Sequence, residues 1–245
     1  MDVYRGLSTQ APAFPASLPR EARSAGLITL INQTPDRIGS LMISTTQASE
    51  NYVRVIEAAG SGKAADLAEV DNARLELMIA QAEAQNVMLQ SASAGMEGPN
   101  LHFARGQIAS SQAMIVWMRH NKQLFAGHQA DGAVAARDMR EHLSTMNAEV
   151  TNMEQSLDVF EAELAAMGDF RRTDLGLLYG SVAISLRESV VVERKMVEAL
   201  DQLAEAVRSG DQEGYLQPTT RMEALARERM RLDASRRQLI ANAGR

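Results

Sequence analysis

Between Met139 and Met167 the apolar residues fall at 139, 143, 146, 150, 153, 157, 160, 164 and 167, alternating steps of four and three without a break. That spacing gathers them into one narrow stripe on a helix, the seam of a coiled coil. Leu175, Tyr179, Val182, Leu186, Ser189, Glu193, Met196, Leu200, Leu203 and Val207 repeat the alternation. Residues 168–172 separate the two runs, a length that favours antiparallel neighbours. Helices over about 132–167 and 173–208 are therefore expected to close as an antiparallel coiled-coil hairpin. A helix of that length is roughly 54 Å long, so an elongated molecule is expected. Each large apolar side chain is worth roughly 1.5–3 kcal/mol when buried, so the seam must be covered.

The remaining periodicities predict four more helices. One spans about 36–59 behind Thr34-Pro35, with Ile38, Leu41, Thr45, Ala48, Tyr52 and Ile56 on its stripe. A second, about 65–94, carries Leu75, Met78, Ala82, Leu89 and Ala92, and a third, about 100–126, is apolar on all sides around "AMIVWM". A helix apolar all round belongs in the centre of a bundle. The last, about 217–242, has Met222, Leu225, Leu232 and Leu239 as its seam. No proline interrupts the chain between Pro99 and Pro218, and no strand pattern competes. The fold class is all-α, an elongated multi-helix bundle. Pro12, Pro15 and Pro19 mark residues 1–26 as an extended or disordered N-terminal arm. A three-helix bundle is expected over 27–126, and the hairpin plus a basic C-terminal helix over 127–245.

Several positions invite an interaction role. Met139, Met146, Met153 and Met167 take every other seam position, with Phe160 completing the row. Flexible thioethers suit surfaces that repack against partners, although methionine also fills cores adjustably. Ser189 and Glu193 interrupt the apolar seam of the second run. A polar pair there sets register, or marks where a third helix or partner enters. Folding about residue 170 or 171 places them opposite Val150 and Met153. In the arm, Tyr4 and Phe14 are apolar anchors for a partner's groove.

Charge adds a further expectation. Residues 137–169 hold eight acids and two arginines, whereas 220–245 hold seven arginines and three acids. Arg229 and Arg236 lie where their own helix wants apolar residues, so that helix is expected to dock beside the acidic one, in this chain or in a second copy, near Glu149, Glu154, Glu161 or Glu163. The absence of lysine and aromatics from this helix, with a net charge of −6 overall, argues against nucleic acid.

Catalytic chemistry finds little support. The chain has no cysteine, which removes thiolate catalysis and cysteine-ligated metals. "AAGSGKAAD" fails as a phosphate loop, since Glu57 and Ala64 occupy positions that need glycine and Ser or Thr. Pro99, Trp117, Phe125 and Met139 precede the four histidines by three, so no Glu-x-x-His pair exists. No cofactor or metal is expected. The longest apolar run, Ala113 to Met118, falls short of the roughly 20 residues of a membrane span, and no secretory leader pattern is present. The chain reads as a cytoplasmic, non-enzymatic scaffold or adaptor with protein partners, a homo-oligomer among them. The alternative is a secretion-type chaperone or sensory bundle that holds a client segment or small ligand.

Overall fold

The computed structural model describes residues 43–58 and 67–243, and the arm with Tyr4 and Phe14 lies outside them. Among the described residues the protein is all-helical. Helix α1 is described over 43–58, followed by α2 (Leu67–Ser93), α3 (Gly98–Phe125), α4 (Gly132–Ala166), α5 (Asp174–Ser209) and α6 (Leu216–Ala243). From α2 onward each boundary lies within two residues of the periodicity reading.

The helix ends follow local chemistry. The Asp131 carboxylate accepts from the amides of Ala133 and Val134 at 2.9 and 3.2 Å, capping α4. Thr173 Oγ1 accepts from the Gly176 amide at 3.2 Å and starts α5. Gly210, at φ 70°, ends α5 in the left-handed conformation that glycine adopts without strain.

Each helix runs antiparallel to the one before it, as paired side chains record. Asn51 donates to Glu76 at 3.3 Å and Thr45 to the Ala80 carbonyl at 3.4 Å, joining α1 to α2. Lys122–Glu76 and Arg119–Glu83 tie α3 to α2 at 2.6 and 2.5 Å. Arg140–Glu205 and Arg187–Glu161, at 2.8 and 2.9 Å, join α4 to α5 at opposite ends. The chain is a helical meander in which α3 and α5 share the centre and α4 packs across both.

One buried cluster draws Ala109 and Ala113 from α3, Met139 and Met146 from α4, Leu200 and Leu203 from α5, and Met222 from α6. It joins both sides of the division expected at residues 126 and 127. Gly132 lets the ends of α4 and α5 meet, since a Cβ there would stand 2.3 Å from the Val207 carbonyl oxygen. Ile56 and Met78, expected on inner stripes, are exposed, and Val55 and Ala80 are buried instead.

Candidate functional site

Three of the four seam methionines are core. Met139, Met146 and Met153 are each 0% exposed, enclosed between neighbouring helices. This corrects the reading of these three as an adaptable docking surface, because α3 and α5 cover them fully.

Ser189 and Glu193 mark the entry of a third helix. Glu193 is 1% exposed. Arg229 of α6 grips it with both arms of the guanidinium, Nε to Oε1 at 2.7 Å and Nη2 to Oε2 at 2.6 Å. Two helical turns further along, Arg236 donates from Nη1 to Ser189 Oγ at 2.6 Å and from Nη2 to Asp233 at 3.0 Å. Its guanidinium also lies 5.2 Å from the centre of the Phe103 ring on α3. Ser189 in turn donates to the Ser185 carbonyl at 3.0 Å. Burial pushes the Glu193 carboxyl above its ordinary range, while Arg229 and then Arg236 pull it back. With both oxygens held by a fixed cation, Glu193 is an anchor for α6 and is closed to substrate.

Helix α6 therefore docks on α5. The expected seat on α4 of the same chain is incorrect, because Glu193 and Ser189 of α5 take Arg229 and Arg236, and four acids of α4 already have partners on its other neighbours. Glu149 meets His102 at 2.7 Å, Glu154 pairs with Arg194, and Asp158 and Glu161 share Arg187. Nor does Ser189 face Met153. That methionine packs with Leu186 and Val190, whereas Ser189 turns toward Arg236.

Phe160 occupies a different setting at the hairpin tip. Helix α3 begins at Gly98 and its His102 meets Glu149, so it runs out opposite about residue 153 of α4. Past that point the Phe160 ring lies 6.2 Å from Tyr179, which lies 6.2 Å from Phe170. All three are half-buried, and exposed Met167 and Leu175 stand before and after Phe170 in the chain. Tyr179 was legible as a seam position. Phe170 was not, since it lies in the 3-10 turn Gly168–Arg172, which has no period to read.

The opposite end of the bundle holds a cleft of about 310 Å³ lined by His120, Leu124, Gly132, Arg208, Gln212 and Tyr215. His120 is 7% exposed. The Trp117 ring meets Tyr215 edge-on at 6.3 Å. Trp117 Nε1 and Tyr215 Oη are buried without hydrogen-bond partners among the described residues. The sequence signal for this cluster was the only tryptophan three residues from a histidine on one helix.

Burial holds the His120 imidazole below its ordinary range, with Asp131 opposing weakly. The stability tied to the neutral ring is whole above imidazole's ordinary pKa of about 6.5 and is lost as pH falls below it. Thermal melts from pH 7.5 to 5 should show His120→Gln losing less stability on acidification than the parent chain. Parallel curves for the two proteins would mean that the ring is already solvated.

Among the described residues no three His, Asp or Glu side chains gather as metal ligands. Helix α5 is long and apolar enough to cross a membrane by composition. An 18-residue window has a mean hydropathy of 1.4, and 39% of it is buried within the bundle. The run-length reading missed this because glycine and serine break the apolar residues without lowering the mean much. No family model, curated protein or solved structure matches the chain.

Proposed function

We propose that the chain is a non-enzymatic helical scaffold or adaptor, cytoplasmic and without a bilayer span, that binds other proteins through helix faces and its N-terminal arm. The observation that carries this reading is the hairpin tip. There Phe160, Phe170 and Tyr179 form an aromatic cluster past the end of α3, with exposed Met167 and Leu175 before and after Phe170 in the chain. Rigid aromatic anchors surrounded by apolar side chains are the residues that carry binding energy at protein interfaces. In this reading α4 and α5 act as a coiled-coil strut that holds the tip away from the central core.

The test is affinity capture from source cells with the parent chain and with Met167→Glu, Leu175→Glu. Both positions are about half exposed, so the melting temperature should be unchanged. Proteins retained by the parent should be lost from the variant. Recovery of the same proteins at the same level would remove the tip as the docking site.

A ligand-holding bundle is the second reading, favoured by the cleft beside buried His120. Its mark would be a small molecule that raises the melting temperature of the parent but not of His120→Gln.

A further inference from the structure

Helix α5 shows three faces. Leu186, Val190 and Leu200 are buried toward α4, and Ser189 and Glu193 turn toward α6. The third face belongs to no helix among the described residues. On it Leu177, Ile184 and Val191 recur at every seventh residue and are 59%, 64% and 51% exposed. These three account for much of the excess hydropathy of α5. One large residue per two turns, with Gly180 and Ser181 between the first two, makes a narrow ridge suited to another helix. A Cβ added at Gly180 would meet nothing within 4 Å, so the groove beside the ridge is open.

We propose that this face is a homodimer interface, in which two copies pair their α5 helices antiparallel about Ile184. The spacing is self-complementary, as a two-fold interface requires. With Ile184 against its own copy, Leu177 lies seven residues to one side and Val191 seven to the other, so each meets the other's counterpart. Gly180 then faces the stem of Glu188, which crosses where no side chain obstructs it.

Charge supports the same register. Arg187, Glu193, Arg194, Glu198, Asp201, Glu205 and Arg208 of α5 are all engaged in ion pairs within the chain. Asp174, Glu188 and Lys195 have no ion pair among the described residues. Of these, Asp174 and Lys195 lie ten residues before and eleven after Ile184. Antiparallel pairing brings each Asp174 within one position of the partner copy's Lys195, twice by symmetry. Charge placement of this kind fixes orientation, and the apolar ridge supplies most of the attraction.

Sedimentation equilibrium of the full chain between about 1 and 200 µM tests this. The parent should move from 26.7 kDa toward twice that mass. Ile184→Glu, at a site already 64% exposed, should keep the melting temperature and weaken the dimer by about two orders of magnitude. Lys195→Glu should weaken it by about tenfold, and Asp174→Lys combined with Lys195→Glu should restore it. A parent that stays monomeric throughout, or a dimer indifferent to Ile184→Glu, would overturn the proposal. So would a monomeric parent that binds phosphatidylcholine vesicles through Ile184, which would assign this face to a bilayer. Tip variants at Met167 and Leu175 should leave the dimer intact, so failure here and failure of the adaptor reading are separable.

Discussion

Replacing Glu193 by alanine is expected to destabilise the protein by about 3–5 kcal/mol, because Arg229 would remain at the α5–α6 interface without its counter-ion. The Arg229 side chain is 18% exposed and that of Glu193 is 2% exposed, so water offers little compensation. Arg229→Ala should cost a similar amount, since it strands a buried carboxylate. The double replacement Glu193→Leu with Arg229→Met should recover most of the loss. Swapping a whole buried pair for packed apolar groups is often neutral or better. Urea unfolding of the two single variants and the double gives the coupling directly. If Glu193→Ala costs under about 1 kcal/mol, the pair is hydrated and α6 is held by Met222 and Leu232 instead.

The second large effect belongs to the core. Leu200 is 0% exposed and packs in the cluster shared by α3, α4, α5 and α6. Leu200→Ala removes apolar contacts and leaves a cavity, with an expected loss of about 2–5 kcal/mol. Met146, equally buried in the same cluster, should accept leucine for under about 1.5 kcal/mol, because the exchange nearly conserves volume. Thermal melts of both variants separate the cases. If Met146→Leu costs as much as Leu200→Ala, the methionines are shaped to their sites, and adjustable filling is the wrong account of them.

These two predictions also mark what was legible in the sequence. Helix boundaries from α2 onward and the burial of the 139–164 seam, Phe160 excepted, followed from periodicity, because a helix fixes which residues share a face. The four polar members of the α5–α6 network were visible as anomalies in their seams. Ser189 and Glu193 broke one stripe, and Arg229 and Arg236 broke another. Their assembly was misjudged because charge was summed along segments. Segment charge is not facial charge. Glu154, Asp158 and Glu161 point toward arginines of α5, so much of the acidity of α4 is engaged away from α6. The cleft at His120 and the Phe170 contribution to the tip depend on turns, which carry no repeating pattern to read.

The meander has a kinetic consequence. Each helix packs chiefly on its neighbours in sequence, so contacts are short in sequence, the topology that folds fastest. Helix α6 is the exception in timing, since it comes last and completes the ion pair of α5. At about 5–20 residues per second, synthesis from the end of α5 to the end of α6 takes roughly 2–7 seconds. Throughout that interval the α5 face that receives α6 presents a charged Glu193 and two serines to water. An exposed carboxylate keeps that waiting surface hydrated and resistant to misassociation on the ribosome, and the arrival of Arg229 converts it into interior.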